Sequence, residues 1–136
     1  MSIERVKELM KDAGWGYLAT TDGTKVGVRP MGGLDWFGDE LWCASGSDTE
    51  KIAHLSKVPH AEYCFCASDG THVRIGGSCT VSTDDDDKVK LYDAVPALKG
   101  HIPDPHAPGY VVIRMKPSRI LMSLPPGVTY QEVKLL

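Results

Sequence analysis

"ELWCASGSDTEKIAHLSKVPHAEYCF", residues 40–65, reads as strand, helix, strand. The β-prone run "ELWCAS" gives way to small hydroxyl residues, which suit the mouth of a helix. From Asp48 to Lys57 apolar side chains recur at helical spacing. Pro59 stops that run, because the residue before a proline is pushed out of the helical region. "AEYCFCAS" then resumes as a strand. Ser45, Ser47 and Thr49 crowd in just before Lys51. Helix capping by Ser47, Asp48 or Thr49 is one account of them. An anion is the other, because a helix N-terminus offers free N–H groups and a positive dipole end. Asp48 and Glu50 complement that same positive end and so oppose a bound anion.

Working outward, the N-terminal side supplies a helix and a hairpin. Ser2 caps a first helix whose Ile3, Val6, Leu9, Met10 and Ala13 share one stripe, and Gly14 suits its C-terminal end. "WGYLATT", the turn "DGT" and "KVGVRPM" form a hairpin over residues 15–31. Pro30 removes a ladder donor, so Arg29 to Met31 are expected at a strand edge or bulge. A hairpin or meander would bring Arg29 near the start of the 48–57 helix, where an arginine, a lysine and hydroxyls together suit phosphate.

On the C-terminal side "THVRIGGSCTVST" continues the strands after a second Asp-Gly-Thr turn, and Gly76-Gly77 mark a bulge or barrel corner. "DDDDKVKLYDAV" is a helix with an acidic start. "KGHIPDPHAPG" is a loop. "YVVIRMKP" and "SRILMSL" are two closing strands, and a short tail follows Pro125 and Pro126. Six or seven short, mostly antiparallel strands with two or three small helices argue a mainly β barrel or sandwich in a single domain, 1–136.

Composition narrows the function. Net charge is -3 and pI ≈ 5.9, against a duplex nucleic-acid binder. No stretch approaches the ~20 apolar residues of a membrane span. The charged, helix-patterned start is unlike a signal peptide, so a cytoplasmic location is expected. Cys43, Cys64, Cys66 and Cys79 match no zinc or Cys-x-x-Cys spacing and read as reduced, mostly buried thiols. His101 and His106 share the proline-rich loop and read as surface residues. Trp15, Trp36 and Trp42 are candidates for the core or an interface, and Trp36 for a pocket border. No metal site and no catalytic set is readable from spacing.

In the order "GYLATTDGTKVGVRPM", "ELWCASGSDTEKIAHLSKVPHAEYCF" and "VRIGGSCTV", the chain resembles the flavin-binding split barrels related to pyridoxamine 5′-phosphate oxidase, especially the short general-stress-protein-like members. The resemblance runs from about Trp15 to Leu124. It implies a six-stranded antiparallel split β-barrel and a homodimer with two flavin mononucleotides (FMN) at the subunit interface. It also implies that Arg29 and Lys51 grip the phosphate, with Ser45, Ser47 or Thr49 giving hydroxyl or backbone bonds. Pro30, Met31, Cys43 and Ala44 would line the isoalloxazine, with Trp42 pointing the opposite way by strand alternation. The ending "GVTYQEVKLL" holds neither the arginine nor the histidine with which the vitamin-making oxidases meet their substrate. True pyridoxamine phosphate oxidase activity is therefore not expected.

Three functions compete. The first is an FMN-dependent oxidoreductase acting on a small molecule, with a nicotinamide nucleotide or the substrate as hydride donor. The second is a non-catalytic binder or stress-response protein holding flavin, a deazaflavin (F420) or haem. The third, a small barrel that binds nucleic acid or protein, lacks a basic and aromatic stripe.

Overall fold

A computed structural model describes residues 2–124 and 129–135 of the chain. In chain order the elements are α1 (Ile3–Ala13), β1 (Gly16–Thr21), β2 (Val26–Met31), β3 (Leu34–Phe37), β4 (Glu40–Gly46), α2 (Glu50–Lys57), β5 (His60–Cys66), β6 (His72–Ser82), α3 (Asp85–Ala94), β7 (Tyr110–Leu124) and β8 (Thr129–Val133). A 3-10 turn, Pro96–Gly100, follows α3. The strands form one antiparallel sheet in the order β2-β1-β5-β6-β7-β4-β3, with β8 added to β7. The sheet curls into a split β-barrel. Its ends meet across the core, where Met31 of β2 joins Leu41 and Cys43 of β4 in one buried cluster.

Local signals explain most elements. The Ser2 hydroxyl accepts from the Arg5 N–H at 3.4 Å, and Gly14, at φ 84°, closes α1 by bonding Met10 O. The stripe Val6, Leu9 and Met10 is buried, about 2 kcal/mol for each side chain removed from water. The hairpin is in register from Gly16↔Met31 to Thr21↔Val26. Its turn is tied by the Asp22 carboxylate, which accepts from the N–H groups of Thr24 and Lys25. Asp84 caps α3 by accepting from the N–H groups of Asp86 and Asp87.

Three expectations are corrected. The strand count is eight among the described residues, not six. β3 is only four residues long and pairs with β4 from Leu34↔Cys43 to Phe37↔Glu40. The closing run is one strand, β7, that passes straight through Pro117. Ser118 is its extra residue, since Gly76 faces Arg119 and Gly77 faces Pro117. That bulge needs Gly77, because a Cβ there would collide with the Lys116 carbonyl and the Pro117 Cα. Third, the expected tail contains β8, paired with β7 from Ile120↔Val133 to Leu124↔Thr129. Pro125 and Pro126 lie outside the described residues.

The interior splits into two clusters. One fills the barrel and underlies α1 and α2. The other, made by Trp42, Leu91, Leu98, Tyr110 and Val112, sits between the opposite face of β4–β7 and α3 with its 3-10 turn. Trp42 thus faces away from Cys43, as alternation requires.

Candidate functional site

The rim where β2 ends and β4 passes into α2 gathers most of the residues singled out above. Arg29 is inward-facing and 19% exposed at its side chain. Its guanidinium donates to Glu50 Oε1 at 2.7 Å, to Thr20 Oγ1 at 2.6 Å and to Leu18 O at 3.2 Å. Arg29 therefore does reach the start of α2. The route differs from the expected one: β2 and β4 are not neighbours, and the curl of the sheet brings them together.

Lys51 is half-buried and takes part in none of the ion pairs among the described residues. Burial and the nearby Arg29 charge hold its ammonium below the ordinary lysine range, with the Cys43 thiol pulling the other way. Two cations thus come near one another, and the mostly exposed Glu50 carboxylate pairs with Arg29 alone. An anion entering here would relieve the repulsion between Arg29 and Lys51.

The hydroxyls behave differently from a cap. Thr49 is the N-cap of α2, yet its side chain bonds no helix N–H. It donates instead to Gly46 O at 3.1 Å, as Ser45 does at 2.8 Å. The first-turn N–H groups of α2 are left without a side-chain partner. Ser47 and Asp48 are exposed, and the Ser47 N–H donates to Gly109 O at 2.9 Å.

Beside these groups lies a cavity of about 630 Å³, lined by Pro30, Met31, Ala44 and Ser45 together with Leu98, His101 and Tyr110. The volume suits a small-molecule or cofactor site, and the walls are mostly apolar. Four of the nine predicted site residues therefore border one cavity. Arg29, Thr49 and Lys51 do not line it; they stand at the start of α2, where Thr49 bonds the lining residue Gly46 and Arg29 bonds Glu50. Cys43 is fully buried beneath the cavity, where Tyr63 Oη donates to its Sγ at 3.0 Å and burial pushes its thiol up to about 11. A second concavity, of about 490 Å³, lies outside β1 and β5 and is bordered by Val26, Glu62 and Arg119. Neither cavity is lined by Arg29 or Lys51, and the second takes in Thr20, the partner of Arg29.

Sequence reasoning missed three groups. Thr20 and His54 are both buried and joined by a 2.8 Å bond between Oγ1 and Nδ1. Since Thr20 Oγ1 already accepts from Arg29, its own proton is free to go to His54. That chain orients the guanidinium. His101 is exposed, as its reading as a surface residue expects, and it also borders the cavity because the loop before β7 folds back over β4. No local signal announces this, since Gly46 and Tyr110 become partners only through the sheet. Trp36 borders a groove with Lys7 and Met10 instead, on the α1 side. The other arginines are engaged elsewhere: Arg74 with Glu62, and Arg114 with Glu40 and Asp87. Among the described residues no cluster of three His, Cys, Asp or Glu could hold a metal ion, and no helix is long and apolar enough to cross a membrane.

Comparison with known proteins agrees with this architecture. A NimC/NimA family protein from Clostridium acetobutylicum superposes with a TM-score of 0.85 at 22% identity, covering 98% of this chain and 92% of its own. General Stress Protein 26 from Bacillus anthracis gives 0.78 at 20% identity, with 97% of each chain covered. An F420 reductase gives 0.63 at 19% identity over 84% of this chain and 94% of its own. At these identities the likeness is one of fold. No curated protein matches the sequence. The family profile described as pyridoxamine 5′-phosphate oxidase like matches residues 1–118, most of the chain. The chain belongs to the pyridoxamine 5′-phosphate oxidase-like family.

Proposed function

We propose that this protein binds FMN as a homodimer and serves as an oxidoreductase on a small molecule. The observation that carries the reading is the meeting of Arg29, Lys51 and the uncapped start of α2 beside the 630 Å³ cavity. The donor set fits a phosphate: one guanidinium, one ammonium and free N–H groups. The apolar walls fit a flat ring. When bound, the flavin would supply reversible hydride acceptance.

The chain's own residues bind and orient. Arg29, aligned by Thr20, and Lys51 would hold the phosphate, with Ser45, Ser47 and Thr49 at the same turn. To bind it, the hydroxyls of Ser45 and Thr49 must turn away from Gly46 O. Glu50 would be released from Arg29, at small cost because it is 65% exposed. Pro30, Met31, Ala44 and Ser45 would shape the ring's side of the cavity, with Cys43 fixing β4 from below. Val26 and Val28, 73% and 64% exposed on the outward face of β2, support the dimer, since large apolar side chains standing together seek a partner.

The test is direct. Flavin absorbance that survives desalting, and that bleaches when NADH or NADPH is added without oxygen, is expected. Retained flavin that no nicotinamide nucleotide bleaches would favour the non-catalytic binder. His101 at the cavity favours one further reading, haem, which would declare itself as an intense band in the same spectrum.

A further inference from the structure

Two of the four cysteines are not buried. Cys64 and Cys66 lie outward on β5, with Sγ atoms 3.9 Å apart. The sequence "CFC" forces this arrangement. Alternation drives Phe65 into the core, where it is 1% exposed, and turns both neighbours to the same outer face. We propose that Cys64 and Cys66 form a reversible dithiol–disulfide site that exchanges with small-molecule disulfides.

The geometry carries it. Residues two apart on a strand have Cα atoms about 6.6 Å apart, near the upper end of the range a disulfide bridges. The sulfurs need to close by about 1.9 Å to reach bonding distance. Rotation of two side chains accomplishes most of this while Phe65 stays anchored. A bond at the stretched end of its range is readily reopened by thiols, which suits exchange rather than stapling.

The two thiols have different surroundings. Cys66 is exposed at the end of β5, opposite His72. Cys64 is half-buried between Tyr17 and Arg74, its cross-strand partners. Burial, then the neighbouring Cys66, push its thiol up to about 11, while Arg74 draws it down. Cys66 is therefore the group that meets the oxidant. Its thiolate attacks one sulfur of a disulfide RSSR, the S–S bond breaks and RS⁻ leaves. Cys64 then gives its proton to water and attacks Cys66 Sγ, expelling the second RS⁻. The protein loses two electrons and two protons, and RSSR becomes two RSH. Through Tyr17, Cys64 is level with Pro30 of the proposed flavin cavity, and Val28 of the proposed dimer face is level with Glu62, two positions back along β5.

The test treats the folded, full-length protein with oxidised glutathione, alkylates the remaining thiols after acid quenching, and maps the peptides by mass spectrometry. The expected product is an internal Cys64–Cys66 disulfide with no glutathione retained, fully reversed by reduced glutathione. Cys64→Ser should trap glutathione on Cys66. Cys66→Ser should slow modification of Cys64 at least tenfold. Glutathione persisting on Cys66 of the unaltered protein would overturn the proposal. So would an unmodified pair, or a bond from Cys66 to a second chain.

Discussion

At the scale of single residues, the site rests on a short polar chain inside an otherwise apolar barrel. Thr20 is the link. Its hydroxyl takes a bond from Arg29 and gives one to His54. Thr20→Val keeps the shape but strands a buried ring nitrogen and frees the guanidinium. A loss of about 1–3 kcal/mol in urea unfolding is expected, together with weaker FMN retention. Unchanged flavin affinity would remove Thr20 from the site. Glu50 acts in the opposite sense, as the carboxylate a phosphate must displace. Glu50→Gln removes an exposed pair worth about 0.2–1 kcal/mol, so FMN should bind up to about fivefold more tightly. An equilibrium fluorescence titration reads both variants.

A third residue, Glu40, contributes to acid stability. Burial alone would raise its carboxyl, but bonds from Arg114 and Trp42 outweigh that and hold it below its ordinary 4.5. A carboxyl depressed in the folded state stabilises above its unfolded value, and this contribution is lost as pH falls through the folded one. Urea midpoints should therefore drop less steeply below about pH 4.5 in Glu40→Gln than in the unaltered protein. Parallel slopes would exclude the Glu40–Arg114 pair as a source of acid sensitivity. Arg29, Lys51 and the hydroxyls were legible in the sequence because their residue types and order match a phosphate-holding turn. Thr20, His54 and His101 were not. Each acts through a partner at least nine residues away or through the path of a loop, and nothing local marks it.

At the scale of elements, periodicity and turn chemistry read correctly wherever the signal was local. The amphipathic stripe of α1, the Asp-Gly-Thr hairpin, the α2 segment stopped by Pro59 and the Gly76-Gly77 bulge all fall where the residues put them. The failures share a cause. β3 is too short for alternation to register. β7 hides behind Pro117, whose missing N–H is tolerated because it sits beside the bulge. β8 has an exposed, polar-looking pattern, and only its pairing with β7 makes it a strand. Gly77→Ala tests the bulge. Its Cβ would meet backbone, which cannot rotate aside. A loss of several kcal/mol, or failure to fold, is expected, whereas Gly70→Ala, strained only by its φ of 89° in an open turn, should cost about 1 kcal/mol. Equal effects from the two would contradict the close β6–β7 approach.

At the scale of the molecule, barrel closure is what makes a site at all. β2 and β4 lie at separate places in the sheet order, yet the curl sets Arg29 and Pro30 against the β4–α2 turn and leaves the cavity between them. No pairwise strand argument from the sequence contains that contact. Closure also leaves a face of β2 with exposed valines, which the proposed dimer covers. The most direct test of the account is the dissociation constant of FMN for the unaltered protein and for the Arg29→Ala, Lys51→Ala double variant. Two charge-assisted contacts at about 1.5–3 kcal/mol each predict affinity weakened by more than a hundredfold, with the fold intact by circular dichroism. Equal affinity in a folded double variant would place the flavin elsewhere and return the α2 turn to a purely structural role.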